Sequence, residues 1–341
     1  MMPGSRISSA LAPARQHPVD QHMVHDDWKM TLQRALATND GAMMARVPKT
    51  DLHCHGMLSA PLDTYAAVLG RTLAPVPRVF GSFGAFSEYI VTHLFPALTD
   101  PAAVRTIIAA ALDRMRADGV VYAEMSFDLL IPEFLGMRVA EFATLLAEEC
   151  ARVAPALVVR PEIGISRALP PEEAAARLKQ WIATGVCRSI DLYDDENVGV
   201  VREFAPLYRL AKDSGLKLKA HAGELCGAAI VREAVEVLEL DAIQHGVRAA
   251  EDPGLVAWLA ERGTVLNLCP TSNYSLGVCA AYESHPARQL FAHGVTVTVN
   301  SDDFALFGAG VSDELFALAK MGFSADEIAR VVENGLAQQR D

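Results

Sequence analysis

Hydrophobic and polar positions follow two different spacings along most of this chain. From residue 101 onward, stretches with an apolar residue every three or four positions alternate with short apolar runs. The first spacing is typical of helices that bury one face, and the second of strands covered on both faces. The pattern predicts a first strand within 46–55, then helices at 101–117, 139–153, 171–183, 203–214, 228–239, 253–262 and 286–293, which precede strands at 120–127, 157–164, 189–192, 216–221, 241–245, 264–268 and 295–300.

Eight strands alternating with helices predict an α/β fold, and specifically a (β/α)₈ TIM barrel. Two helices near 313–321 and 324–337 close the chain. A doubly wound open sheet is the competing fold, but no G-x-G-x-x-G sequence follows the first strand to favour it. In a barrel, functional side chains are expected at the C-terminal ends of the strands.

The pattern divides the chain into an N-terminal extension, residues 1–45, and a catalytic domain, residues 46–341. Residues 1–24 lack periodicity and are expected to be a mobile lead-in, followed by a short helix at 26–37 with Trp28, Leu32 and Leu36 on one face. Within 56–100, aromatic residues separated by glycine predict either a hydrophobic cover over a pocket or a helical pair packed on the barrel. The cover is the favoured prediction.

Composition narrows the class of protein. The formal net charge of −12 argues against binding to nucleic acid or to an anionic membrane surface, because both rely on basic patches. The six cysteines form no C-x-x-C pair, which is typical of buried thiols in a reducing compartment. We see no apolar run long enough to span a membrane and no signal-peptide pattern, so a cytoplasmic enzyme is expected.

Potential metal ligands occur at the ends of four predicted strands. His53 and His55 are two residues apart on the first strand, so their side chains point the same way. Each such residue alone is more often a hydrogen-bonded histidine or a helix cap, but their joint placement favours a hydrolytic metal centre. Its ligand types suit Zn²⁺, with Mn²⁺ or Fe²⁺ as alternatives. The later strands contribute His221 and Glu224, His245, and Asp302 and Asp303.

These motifs resemble those of the adenosine deaminase family of the amidohydrolase superfamily. The similar segments are 48–55, 221–224, 244–246, 269–273 and 301–303, and the resemblance runs from about residue 46 to the C-terminus. It implies a small-molecule purine substrate and one Zn²⁺ bound by His53, His55, His221 and Asp302. It also implies that Glu224 donates a proton to purine N1, that His245 positions the attacking water, and that Asp303 orients and deprotonates that water.

Three residues depart from the family pattern around the substrate. Met57 occupies the position of an acid that is associated with the ribose in adenosine deaminases, and that is usually Glu in adenine deaminases. Asp194 replaces a glycine whose backbone N–H is associated with purine N3, and Phe304 replaces a proline. Together with Gly223, Met57 and Asp194 are expected to contact the substrate. We therefore expect an unusual nucleoside or base to be preferred over adenosine.

Two other classes of function compete with deamination of a 6-aminopurine to the 6-oxopurine and ammonia. Amide or lactone hydrolysis would use the same barrel and similar ligands, but would not need an acid at position 224. A non-catalytic binding protein would be expected to lose a ligand or the proton donor. This chain keeps all four of the implied metal ligands and all three of the implied catalytic residues. The sequence favours the deaminase.

Overall fold

Eight parallel strands, hydrogen-bonded in chain order, form the centre of the structure, a computed structural model that describes residues 27–340. All eight predicted strands and the predicted TIM barrel are confirmed. The expected mobile lead-in, 1–24, lies outside the described residues. The strands are β1 (Lys49–His55), β2 (Val120–Asp128), β3 (Val158–Ser166), β4 (Ser189–Tyr193), β5 (Lys217–Ala222), β6 (Ala242–His245), β7 (Val265–Leu268) and β8 (Thr296–Val299).

Helices occupy the connections between the strands, as the spacing predicts. Most of their bounds fall within two residues of the predicted ones. The helices are α1 (Asp27–Thr38), α2 (Gly41–Met44), α3 (Leu62–Leu69), α4 (Phe83–Tyr89), α5 (Pro101–Ala117), α6 (Ile131–Phe134), α7 (Val139–Val153), α8 (Pro171–Thr184), α9 (Ala205–Asp213), α10 (Ala228–Leu238), α11 (Pro253–Arg262), α12 (Pro270–Ser275), α13 (Ala287–Ala292), α14 (Phe304–Phe307), α15 (Val311–Lys320) and α16 (Ala325–Ala337).

Helix α1 packs against α16 at the outside of the barrel. Its Trp28 and Leu32 are buried, and Lys29 forms an ion pair with Glu333 at 2.5 Å. Apolar residues every four positions thus bury one face of α1, as predicted. The partition of the chain at residue 45 stays a prediction.

The segment between β1 and α5 provides a cover that is built from helices. Helix α4 continues into a π-helical turn, Ile90–Leu94, and a 3₁₀ turn, Phe95–Ala97. Phe86 packs edge-on against Phe80 and stacks on Phe307, with ring centroids 5.4 and 5.8 Å apart. In the described residues no single helix is long and apolar enough to cross a membrane, and the pair 83–97 and 101–117 passes that test only jointly, with a 115° bend.

The barrel closes where β1 meets the chain that follows β8. The backbone N–H of Asp302 donates to the carbonyl of His53 at 3.0 Å, and the N–H of His55 donates to the carbonyl of Asp302 at 3.4 Å. Lower in the same seam, the N–H of Leu52 donates to the side-chain oxygen of Asn300 at 2.7 Å. This closure places the two histidines of β1 beside Asp302.

Charged residues fill part of the barrel interior, below the C-terminal ends of the strands. The ammonium group of Lys219 lies 2.9 Å from Glu124, 2.6 Å from Glu162 and 2.8 Å from the carbonyl of Leu52. Burial alone would lower the pKa of Lys219, but the two carboxylates raise it above its ordinary value. Lys219 is therefore cationic and joins strands β2, β3 and β5 from inside.

We expect Lys219→Met to destabilise the protein by about 3–5 kcal/mol, because it leaves buried carboxylates without their cation. Chemical denaturation measures the free energy of unfolding. Lys212→Met is the matched control, since Lys212 pairs with Glu239 on the surface and both side chains are more than half exposed. We expect no measurable change in the free energy of unfolding for the control. An equal loss of stability in both variants would contradict the proposed contribution of the ion pairs that Lys219 forms inside the barrel.

Candidate active site

Three histidines converge at the C-terminal rim of the barrel. The ring of His53 lies 5.2 Å from that of His55 and 4.6 Å from that of His221, measured between centroids. One nitrogen from each ring can be chosen so that all three atoms lie within 4.8 Å of one another. Asp302 joins them, with Oδ1 3.3 Å from Nε2 of His53 and 3.4 Å from Nε2 of His55. The structure thus brings together the four predicted metal ligands.

The chemistry of this cluster fits a divalent cation. Neither ring nitrogen of His53 has a well-directed hydrogen-bond partner among the described residues, although the side chain is fully buried. Burial lowers the pKa of His53 to about 4, so the ring is neutral and offers a lone pair. Burial alone would also lower the pKa of His55, but Asp303 and Asp302 raise it to about 10. The site therefore carries carboxylates that attract positive charge.

A carboxylate behind His221 fixes the direction of that ring. Both oxygens of Asp191, on β4, lie 3.1–3.2 Å from Nδ1 of His221. Asp191 is fully buried, and although burial alone would raise its pKa, the nearby His221 and His53 lower it. The anion holds the proton of His221 on Nδ1 and leaves Nε2 as the ligand atom, which is the usual arrangement behind a metal-bound histidine.

The loop after β5 carries the candidate acid, Glu224, and is held by a second carboxylate. Glu196 accepts backbone N–H bonds from Gly223 at 3.1 Å, Glu224 at 2.9 Å and Cys226 at 2.8 Å. Gly223 has a φ of +76°, and a Cβ there would approach Cγ2 of Val231 to 2.2 Å. Only glycine fits this turn, which aims Glu224 back over the rim.

The environment of Glu224 favours its protonated form. Burial, followed by the charges of Asp302 and Glu196, raises its pKa well above the ordinary value of a glutamic acid. Asn273, at the C-terminal side of β7, donates to Oε1 of Glu224 at 3.0 Å, and Nδ1 of His245 lies 3.4 Å from the same oxygen. A neutral carboxyl group that can donate a proton therefore sits beside the histidine cluster.

Three residues at the rim adopt the left-handed backbone conformation, which is unfavourable for residues other than glycine. The φ angles are +87° at Asp194, +62° at His245 and +54° at Asp302. They follow or end strands β4, β6 and β8, where the chain must turn out of the barrel. Each such residue costs roughly 1–3 kcal/mol, and such strain is concentrated at functional sites.

These groups face one cavity of about 360 Å³, a volume within the usual range of small-molecule sites. Its polar end is lined by His55, His221, Glu224, His245, Asp302 and Asp303. Its other walls are largely apolar and include Met57, Phe83, Phe86, Ile90 and Leu276. The two aromatic residues come from the 56–100 segment, so the predicted hydrophobic cover is confirmed as a wall of this cavity.

The predicted substrate-contact residues lie in different places. Met57 and Asp194 line the cavity, whereas Gly223 is not among the lining residues. The carboxylate of Asp194 accepts a hydrogen bond from Ser166 at 2.7 Å and one from the N–H of Asp195 at 2.9 Å. Asp194 therefore has a left-handed backbone, and two hydrogen bonds hold its carboxyl group at the edge of the cavity. A direct contact between Gly223 and substrate stays a prediction.

Asp191, Glu196 and His285 have site roles that the sequence analysis did not assign. Asp191 lies within a strand rather than at its end, and Glu196 lies in the loop after β4. For Asp191 and Glu196 the sequence signal was the unusual density of acids in 191–196, four in six residues, and for His285 it was the pair His285-Pro286, which fits the family pattern. The partners of Asp191 and Glu196 are 27 to 30 residues away along the chain, so spacing alone could not reveal them.

Comparisons with known proteins agree with this geometry. The adenosine deaminase family model matches residues 69–339. The chain belongs to the adenosine deaminase family. Its members are hydrolases that act on C–N bonds of cyclic amidines, and this protein is a hydrolase of the same class. The adenine deaminase of Sinorhizobium fredii is 34% identical over 315 residues, which cover 86% of this chain and 94% of that relative.

Solved structures of similar proteins share the barrel. The adenine deaminase of Arthrobacter aurescens has a TM-score of 0.79 and 27% identity, with 86% of this chain and 94% of that chain covered. An amidohydrolase from Burkholderia ambifaria with bound Zn has a TM-score of 0.76 and 26% identity, with 90% and 87% covered. The family relationship and the His/Asp cluster of the described residues are both compatible with a bound metal.

We expect Asp191→Asn to lower metal affinity by about 10- to 100-fold, because the amide no longer holds the proton of His221 on Nδ1. Competition with a chromogenic chelator measures the affinity. Asp241→Asn is the matched control, since Asp241 accepts a backbone N–H from Leu218 at 2.7 Å near the opposite end of β5. Unchanged affinity in Asp191→Asn would show that the carboxylate does not orient the ligand.

Proposed function

We propose that this protein is a zinc-dependent hydrolase that deaminates a 6-aminopurine to the 6-oxopurine and ammonia. One observation carries the proposal: Glu224, a buried carboxyl group with a raised pKa, faces the same cavity as the His/Asp cluster. Amide or lactone hydrolysis does not require an acid there, but protonation of a ring nitrogen does. The names of the relatives, several of them adenine deaminases, support the same reaction.

The donor set supports zinc as the metal. His53, His55, His221 and Asp302 would hold it, and histidine nitrogens and carboxylate oxygens are ligands that Zn²⁺ takes in proteins. The similar amidohydrolase with bound Zn supports this assignment. When bound, the ion supplies a Lewis acid that lowers the pKa of water to about 7.

The side chains of this chain would divide the proton transfers between them. Glu224 donates a proton to N1, which makes C6 more electrophilic towards the oxygen of water. Asp303 is suited to accept the proton of that water, because it is buried, lines the cavity and has an oxygen without a partner among the described residues. His245, held between Glu224 and Asp302, orients the water. The amino nitrogen then takes the proton held by Asp303, the C6–N6 bond breaks and ammonia leaves. The C6 hydroxyl becomes the 6-oxo group, and its proton returns to Glu224.

The cavity walls support an uncharged substrate. Its lining contains no lysine or arginine, judged over the described residues, and it does contain Asp128 and Asp194. A phosphate group beside these two residues would therefore meet carboxyl groups and neither lysine nor arginine. Met57 is buried and lines an apolar wall where relatives of the adenosine type are expected to carry an acid. We propose a nucleobase, or a nucleoside with an apolar substituent, as the substrate class.

Ammonia release across a panel of 6-aminopurines tests the proposed reaction. The panel holds adenine, adenosine, 2′-deoxyadenosine, 5′-methylthioadenosine, N6-substituted adenines and AMP, and we expect AMP to be the poorest. Glu224→Gln keeps the size of the side chain but removes the acid, so kcat should fall by about 10²- to 10⁴-fold. Equal turnover by this variant, or turnover of no member by zinc-loaded protein, would contradict the proposal.

Met57 provides a test of the substrate class. We expect Met57→Glu to raise the ratio of kcat/KM for adenine to kcat/KM for 5′-methylthioadenosine by about tenfold, because a buried carboxylate needs the N–H of a free base as its partner. Met57→Leu is the matched control and should leave the ratio within about twofold, since it conserves volume and polarity. A ratio that is unchanged in Met57→Glu would mean that residue 57 does not face the substrate.

A further inference from the structure

A chain of hydrogen bonds leads from helix α13 to the candidate acid. The backbone N–H of Ala287, the first residue of α13, donates to Nδ1 of His285 at 3.1 Å. Nε2 of His285 lies 3.1 Å from Oδ1 of Asn273. Nδ2 of Asn273 lies 3.0 Å from Oε1 of Glu224 and 3.3 Å from Nδ1 of His245. The four side chains are buried.

The donor and acceptor at each link follow from the first one. A backbone N–H can only donate, so Nδ1 of His285 must be the acceptor. Burial lowers the pKa of His285 to about 4, so the ring is neutral and its one proton sits on Nε2. That proton can bond only to the oxygen end of the Asn273 amide. The NH₂ end of Asn273 must then face the two catalytic groups.

The same succession of donors and acceptors fixes which atoms of Glu224 and His245 carry a proton. Oε1 of Glu224 and Nδ1 of His245 lie 3.4 Å apart, and both accept from Asn273. Because Oε1 is an acceptor, the acid proton of Glu224 is left on Oε2. Because Nδ1 of His245 is an acceptor, its proton is on Nε2, which lies 3.8 Å from Asp302. Without the amide, two acceptors would face each other in a buried place.

We propose that Asn273, oriented by His285, is a positioning residue that assigns the proton of Glu224 to Oε2 and holds His245 as the Nε2–H tautomer. The proposal rests on the proposed function, in which Glu224 is the acid. An amide suits this task because it has a donor end and an acceptor end on one rigid plane. A carboxylate at position 273 would lack the donor, and a hydroxyl group could rotate.

Three variants separate positioning from structural support. His285→Gln places a donor near the position of Nε2, whereas His285→Leu removes the donor and lets the Asn273 amide turn over. Asn273→Leu removes the amide itself. We expect kcat to fall by about 10- to 100-fold in Asn273→Leu and His285→Leu, with KM within about threefold, and to recover to within about threefold of wild type in His285→Gln. Asn334→Asp, in α16, is the control, since its amide donates to the carbonyl of Val297 away from the site.

Nitrogen-15 NMR of histidine-labelled, metal-loaded protein gives a readout that needs no substrate. His285 and His245 should both appear as neutral Nε2–H tautomers, with His285 assigned through the signal that His285→Gln lacks, and Asn273→Leu should shift the Nδ1 signal of His245. Metal content and thermal stability are measured in parallel.

The outcomes are distinct. A cationic or Nδ1–H His285 would overturn the proposed order, and so would wild-type kcat in His285→Leu and Asn273→Leu. A fall in kcat that His285→Gln fails to restore, with normal metal content, would reduce Asn273 to a structural role. If the wild type deaminates no 6-aminopurine, the proposed function fails, while the NMR spectrum still decides the hydrogen-bond order.

Discussion

This structure depends on which of its buried ionisable groups are charged and which are neutral. The strands and the loops that follow them bring Asp191, Glu224, Asp302 and Asp303 close to several imidazoles at one buried rim. Burial alone would raise the pKa of every one of these carboxyl groups, yet the outcomes differ. The neighbouring His53 lowers the pKa of Asp302, whereas Glu224 and Asp303 have raised values. The rim thus holds anions that suit a cation, and two carboxyl groups of raised pKa that suit proton transfer, Glu224 as a donor and Asp303 as an acceptor.

This distribution of charge depends on a rigid backbone at the rim. Asp194, His245 and Asp302 adopt left-handed conformations that a more flexible chain would leave. The surrounding barrel holds them, because β1 and β8 are joined at Asp302 itself and Lys219 links three strands from below. The cost of the strain is therefore offset by packing and ion pairs outside the cavity. A site assembled on rigid strand ends keeps its donors aligned before substrate arrives.

Much of this arrangement could be predicted from the sequence. Apolar runs gave the strands, and the position of His53, His55, His221 and Asp302 at strand ends gave the cluster, because parallel strands bring these ends to one rim. Asp191, Glu196 and His285 could not be found this way. Their effect depends on the direction of a side chain towards a partner that lies 12 to 30 residues away along the chain, and strand periodicity contains no such information. The same limit applies to Asp194, whose charge was predicted but whose hydrogen bonds were not.

Asp194 departs from the family pattern at a turn with a left-handed backbone, where its φ is +87°. Glycine would adopt the same left-handed turn at lower cost. Aspartate retains it through hydrogen bonds from Ser166 and from the N–H of Asp195. Asp128 adds a second carboxyl group to the same cavity. Both belong to a lining without lysine or arginine among the described residues, which is the basis on which we propose a neutral substrate for the apolar walls around Met57.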